Sequence, residues 1–149
     1  MSFSIHKETF PEKLLRGISS SDFVDDEGRA TAALFQFDKS ERSDGFDEVS
    51  VNWYDNMDAL DILLNQRKKS GEDYQFRIGV AVLCRNWLDE LIRRPNNKNA
   101  IDYERDPIED VNPHHGNILR KASLPNGVKS MLASNIAFCV ENIIYRDLA

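Results

Sequence analysis

The sequence predicts an α+β fold in which two to four helices pack against a mostly antiparallel sheet of about four strands. The chain has 149 residues, a length typical of one compact domain. Its hydrophobic fraction of 41% and charged fraction of 30% are typical of globular proteins. Apolar residues recur at every second position in some segments and at every third or fourth in others, which indicates both strands and helices. Because no repeat or linker interrupts the pattern, residues 1–149 are expected to form a single domain.

The first half of the chain predicts a β-hairpin that follows a packed N-terminal arm or short helix within residues 1–28. Residues 30–37 are apolar and end on aromatic side chains, whereas residues 48–54 alternate between apolar and polar side chains. The polar segment 40–47 has the length of a hairpin connection. Strands at 30–37 and 48–54 are therefore expected to pair in antiparallel fashion.

The second half predicts helices that alternate with strands. In chain order we expect a helix at 56–69, a buried strand at 74–83, a short helix at 86–94 and a polar strand at 100–105. Residues 128–144 carry the strongest pattern, with apolar side chains at three- and four-residue spacing over about five turns. This pattern predicts a long amphipathic C-terminal helix that packs across the sheet.

Charge limits the classes of partner. The net charge is −6 and the pI is near 5.1, which argues against binding of nucleic acid or of an anionic membrane, since both require a basic face. The basic run Arg67-Lys68-Lys69 is assigned to the end of the helix 56–69, where cations interact favourably with the helix dipole.

The chain carries no signal for a membrane or an oxidising compartment. No apolar run approaches the roughly 20 residues that span a bilayer, and the opening residues lack the apolar core of a signal peptide. Cys84 and Cys139 lie in apolar segments without Cys-x-x-Cys spacing, so buried free thiols are expected. We therefore predict a cytoplasmic protein, and no particular cofactor is indicated.

The pentapeptide Asn112-Pro113-His114-His115-Gly116 is the most informative stretch for function. Two of the three histidines stand side by side in it, next to a proline that restricts Asn112 and a glycine that permits a positive φ. Histidine titrates near neutral pH, so a rigid turn that presents imidazoles is a candidate chemical site.

The chain resembles a loose group of small bacterial proteins with no established activity. The resemblance is carried by four landmarks: Arg16-Gly17-Ile18, residues 28–35 (Gly-Arg-Ala-Thr-Ala-Ala-Leu-Phe), Ser50-Val51-Asn52, and Pro107 followed by Asn112-Pro113 and His115. Members often have a histidine two residues before the proline that matches Pro107, where this chain has Arg105. The resemblance implies one small domain, and it favours His115 over His114 as the residue of interest.

Metal binding is one interpretation of the histidine loop. Asp102, Glu104 and Asp106 alternate on a predicted strand and so share a face, with His114 and His115 a few residues later. However, adjacent histidines rarely ligate the same ion, and no established metal motif is present. Acidic side chains also commonly protect an edge strand from aggregation, so no metal site is predicted.

General acid–base catalysis is a second interpretation. His115 would shuttle protons, with Asp106 or Asp110 beside it and Arg16 or Arg105 stabilising a developing anion. Such a site would suit a nucleotide or phosphodiester substrate, or ADP-ribosyl transfer, although the chain has no Gly-rich phosphate loop and no nucleophile motif.

The third interpretation, a protein-binding or assembly module, is the leading prediction from sequence. A small acidic domain without a complete catalytic signature is most simply explained by a protein partner or a homo-oligomer. Four residues are assigned to the binding surface, the aromatics as interface anchors: Trp53, Tyr54, Asn112 and His114.

Overall fold

The computed structural model describes residues 10–37, 43–71, 73–97 and 99–146. Within these residues the chain forms six strands and three α-helices. The strands are β1 (Lys13–Ile18), β2 (Phe46–Trp53), β3 (Gly79–Cys84), β4 (Ile101–Arg105), β5 (His115–Lys121) and β6 (Val140–Tyr145). The helices are α1 (Met57–Asn65), α2 (Arg85–Arg93) and α3 (Asn126–Ala137). Short 3-10 turns lie at Ser21–Phe23, Ala32–Phe35 and Pro95–Asn97.

All six strands form one antiparallel sheet in the order β4-β5-β2-β1-β3-β6. β1 pairs with β3 along its whole length, but it pairs with β2 only through Leu14 and Leu15. The sheet therefore opens between β1 and β2 beyond Leu15, and this opening determines where the candidate site lies.

The sheet is covered on both faces. On one face, α1 buries Ala59, Leu60 and Leu63 against Leu15, Val80 and Val82 of β1 and β3. On the other face, α2, α3 and the turn Ala32–Phe35 enclose the larger core around Trp53. Asn56 is the N-cap of α1, because its side chain accepts a hydrogen bond from the backbone N–H of Asp58.

The chain has an α+β fold, but the predicted architecture is wrong in two respects. The sheet has six strands rather than about four. The expected helix over 128–144 ends at Ala137, and the chain then forms β6. In β6, the adjacent residues Ile143 and Ile144 pack on opposite faces of the sheet, so both are apolar. Their spacing from α3 continues the helical pattern, which is why periodicity alone could not detect the break.

Three further segments differ from expectation. Residues 30–37 contain a 3-10 turn rather than a strand, and its buried Leu34 and Phe35 pack beside α3. Residues 13–18, assigned to an arm or helix, form the central strand β1. β5, which begins at His115 within the pentapeptide 112–116, was not predicted. Residues 40–42 of the expected connection at 40–47 lie outside the described residues. The segments at β2, α1, β3, α2 and β4 were assigned correctly in type.

No helix among the described residues is long and apolar enough to cross a membrane. Cys84 and Cys139 are both free thiols, and burial raises the pKa of Cys139 to about 12. Cys139 is buried as expected, whereas Cys84 is partly exposed.

Candidate functional site

A cavity of about 760 Å³ lies between α1 and the part of the sheet where β1 and β2 separate. The segment 108–112 and the first residue of β5 complete its wall. Its apolar lining consists of Leu15, Gly17, Phe23, Val51, Ile62, Leu63, Phe76, Ile108 and Val111. Its polar lining consists of Arg16, Ser19, Ser50, Asn52, Asn65, Gln66, Gln75, Asn112 and His115. A volume of this size is in the usual range of small-molecule sites.

Arg16 lies in the opening between β1 and β2. Its Nε donates to the Leu34 carbonyl at 3.1 Å, and its Nη1 donates to the Ser50 carbonyl at 2.9 Å. The side chain thus satisfies a β2 carbonyl at a place where β1 and β2 are no longer paired. A guanidinium charge is thereby held at the cavity lining.

Gly17 allows an aromatic ring to form part of the cavity wall. A Cβ atom placed on Gly17 would overlap the ring of Phe76. Because glycine has no Cβ, the ring packs directly on β1.

His115 is held in one orientation by a backbone hydrogen bond. Its Nδ1 lies 2.8 Å from the Asp106 carbonyl oxygen, and a carbonyl only accepts, so Nδ1 carries the hydrogen. In the neutral ring the lone pair is therefore on Nε2, for which the described residues provide no hydrogen-bond partner. The side chain is 15% exposed and lines the cavity. This arrangement presents a basic nitrogen of fixed tautomer.

Asp106 contributes to this arrangement mainly through its backbone. Its carboxylate Oδ2 is 4.0 Å from His115 Nδ1, too far for a hydrogen bond, and the side chain is mostly exposed. The same carboxylate lies 3.4 Å from the Asn117 amide nitrogen.

His114 points away from the cavity and ties the loop to α1. Its Nδ1 is 2.8 Å from Asp55 Oδ2, and its Nε2 is 3.0 Å from Asp58 Oδ2. Carboxylates accept hydrogen bonds, so this geometry fits an imidazole that donates from both nitrogens. The side chain is buried.

Arg105 also points elsewhere. Its guanidinium forms a bidentate pair with Asp55 at 2.7 and 3.1 Å. Burial alone would raise the pKa of Asp55, but hydrogen bonds from Arg105 and His114 outweigh that effect and hold the pKa below its ordinary value. Arg105 is not part of the cavity lining.

Two buried asparagines brace the loop from the cavity side. Asn112 donates to Asn52 Oδ1 at 2.7 Å, and Asn52 donates to the Ala59 carbonyl at 2.9 Å. The Asn112 side-chain oxygen in turn accepts from the backbone N–H of His114. Since these bonds connect β2, α1 and the loop, the residue that carries the basic nitrogen stands on a firmly held segment.

The structure therefore brings together His115, Arg16 and Asn112 of the predicted site residues, with Asp106 behind His115. Arg105 and His114 lie on the opposite side of the loop, at Asp55. Trp53 is fully buried and donates its indole N–H to the Glu104 carbonyl, so the expected role as a surface anchor is wrong for this residue. Tyr54 is half-buried and lies beside Met57, outside the main cavity.

The acidic residues around β4 do not assemble a metal centre with the histidines. Glu104 faces the Asn117 amide nitrogen at 2.8 Å, together with Asp106. Within the described part of the chain, no three His, Cys, Asp or Glu side chains are arranged to hold a metal ion.

Sequence reasoning missed most of the cavity lining. Phe23, Phe76, Gln66 and Gln75 come from segments that carry no motif, and only the fold brings them together. The resemblance landmarks contained the clearest signal, because Arg16, Gly17, Ser50, Asn52, Asn112 and His115 all line the cavity.

No family model, curated protein or solved structure matches the chain.

Proposed function

We propose that this protein is a small enzyme that acts on a nucleotide or phosphodiester substrate, with His115 as its general acid–base. The observation that carries the proposal is the hydrogen bond from His115 Nδ1 to the Asp106 carbonyl, which leaves Nε2 as the basic nitrogen of a residue on the cavity wall. A general base must be oriented toward its proton before its basicity can be used.

The rest of the cavity suits this substrate class. The Arg16 guanidinium supplies positive charge at the cavity wall, and such a charge suits a phosphate. Phe23 and Phe76 offer aromatic surface for a base, and the amides of Gln66 and Gln75 can both donate and accept hydrogen bonds.

The chemistry needs only one titrating group. In phosphodiester hydrolysis, His115 Nε2 takes a proton from water as the water oxygen bonds to phosphorus. The phosphorus–oxygen bond to the leaving group breaks on the side of phosphorus opposite the attacking water, and the proton of the imidazolium reaches that oxygen through solvent. The charge of Arg16 stabilises the transferring phosphoryl group.

A His115→Asn variant tests the proposal. The asparagine amide nitrogen can still donate to the Asp106 carbonyl, but the basic Nε2 is lost. We expect turnover of mononucleotide, dinucleotide or nitrophenyl phosphodiester substrates to fall by roughly 10²–10⁴-fold, with the folded state and substrate binding retained. Asn142→Ala, on an exposed residue of β6, should leave the rate unchanged. Equal turnover in His115→Asn and wild type, or no turnover by wild type, would contradict the proposal.

A second candidate is the assembly module, and one surface favours it. β6 is an edge strand; its last residue, Tyr145, is 55% exposed, and Phe138, which lies just before the strand, is 78% exposed. A second copy of the chain offers an identical edge, so two β6 strands could pair about a two-fold axis. The expected cytoplasmic location stays a prediction for both candidates.

Light scattering, which measures the oligomeric state, tests the assembly candidate. A dimer that dissociates to a monomer in Phe138→Asp, with an unchanged circular dichroism spectrum, would support assembly through β6. A wild-type protein that stays monomeric at high micromolar concentration would contradict assembly through β6.

A further inference from the structure

A short basic hairpin, residues 66–71 and 73–77, lies at one end of the cavity. The helix α1 ends at Asn65, so Arg67, Lys68 and Lys69 do not extend it as expected. Instead Arg67 bridges to Tyr74, and the Lys68 N–H donates to the Asp73 carbonyl at 2.9 Å. Gly71, with φ of +78°, provides the turn.

The hairpin is firmly attached to the body of the protein. The guanidinium groups of Arg67 and Arg146 lie over the Tyr74 ring, 4.0 and 3.8 Å from its centroid. Arg146 also donates to the Leu64 and Phe76 carbonyls. The cations of the hairpin are thus presented on a supported element.

The hairpin carries an excess of positive charge within an acidic protein. Between positions 66 and 77 the sequence has four basic and two acidic residues, whereas the whole chain has a net charge of −6. Lys68, Lys69 and Arg77 are exposed. Among the described residues, Lys68 and Lys69 have no ion-pair partner.

The hairpin is continuous with the cavity. Gln66 and Gln75, which are hydrogen-bonded to each other through the backbone, both line the cavity. Arg77 donates to the carbonyl of Ser19, which also lines it. The exposed cations therefore lie in the same hairpin as two residues of the cavity lining. His115 belongs to the part of the wall formed with the segment 108–112.

We propose that the basic hairpin binds the terminal phosphates of a nucleoside polyphosphate whose nucleoside and first phosphate occupy the cavity. This inference rests on the proposed function and specifies its substrate. Lys68, Lys69 and Arg77 supply the cations that a di- or triphosphate requires. A compact ligand fits better than a nucleic acid strand, because the loop at the cavity carries Asp106, Glu109 and Asp110, which would repel a longer phosphate backbone.

Calorimetric titration with adenosine and guanosine mono- and triphosphates tests the inference. We expect the triphosphate to bind more tightly than the monophosphate, with an affinity that falls as salt concentration rises. In the double variant Lys68→Gln/Lys69→Gln, triphosphate affinity should drop by roughly three- to tenfold, while monophosphate affinity stays the same. Lys121→Gln, an exposed lysine that does not line the cavity, is the charge control.

The remaining outcomes separate the two proposals. Equal affinities for mono- and triphosphate would overturn the role of the hairpin but leave the nucleotide site intact. A short oligonucleotide that binds more tightly than the triphosphate would show that the hairpin binds a nucleic acid strand rather than a compact nucleotide. Absence of binding by every nucleotide would overturn both this inference and the proposed function.

Discussion

At the residue scale, the two adjacent histidines have opposite surroundings. The sequence marks both as candidates, and the backbone at the start of β5 gives them different neighbours. Side chains of consecutive residues point in opposite directions at the start of a strand, so His115 lines the cavity while His114 meets Asp55 and Asp58. The resemblance favoured His115, but nothing in the sequence indicated that the Asp106 carbonyl would determine its tautomer.

Asp55 gives a prediction for acid stability. Its pKa in the folded state is held below the ordinary value, although burial alone would raise it, because Arg105 and His114 donate hydrogen bonds to it. Its contribution to the free energy of unfolding is therefore complete above its unfolded pKa of about 3.9 and is lost as the pH falls through the lower folded pKa.

Thermal melts of wild type and Asp55→Asn across pH 2 to 7 measure this contribution. We expect the variant to be less stable near neutral pH and the two curves to converge in acid. Asp61→Asn, at an exposed position on α1, is the control. Parallel curves for wild type and Asp55→Asn would show that the carboxylate does not contribute in this way.

At the element scale, β1 and β6 explain where prediction failed. Strand β1 lies in the middle of the sheet with buried side chains on both faces, so its sequence lacks the alternation of a half-exposed strand. β6 follows α3 after a two-residue break and continues its apolar spacing. By contrast, β2 alternates clearly because Ser50 is exposed on the cavity side, and its assignment from sequence was correct.

The contact between β1 and Phe76 gives a second prediction. Gly17→Ala places a methyl group where the Phe76 ring lies, so the ring or the strand must shift. We expect a loss of roughly 1–3 kcal/mol in the free energy of unfolding, measured by urea denaturation. The displaced ring should also weaken nucleotide binding.

Two further variants test whether the overlap with Phe76 causes the loss of stability. Gly17→Ala combined with Phe76→Leu should recover part of the lost stability, since the smaller side chain relieves the overlap. Gly127→Ala, in α3 with open space around it, should be neutral or slightly stabilising. A Gly17→Ala protein as stable as wild type would contradict the packing described for this wall.

At the scale of the whole molecule, the candidate site arises from the imperfect pairing of β1 with β2. The separation of the two strands, the insertion of Arg16 and the covering loop 106–114 together create the cavity. The spacing of apolar residues indicated the α+β class, and the chain length indicated a single domain. Neither could indicate the cavity, because its lining comes from segments that are up to about a hundred positions apart, from Leu15 to His115.

Nuclear magnetic resonance of the imidazole nitrogens tests the central claim most directly. In wild-type protein at a pH where the ring is neutral, we expect His115 to be protonated on Nδ1 and to show a lone-pair resonance for Nε2. Addition of a nucleotide should shift the Nε2 resonance, and His115→Asn assigns the signal. A ring protonated on Nε2, or an Nε2 resonance that no nucleotide shifts, would contradict the assignment of His115 as the acid–base of a nucleotide site.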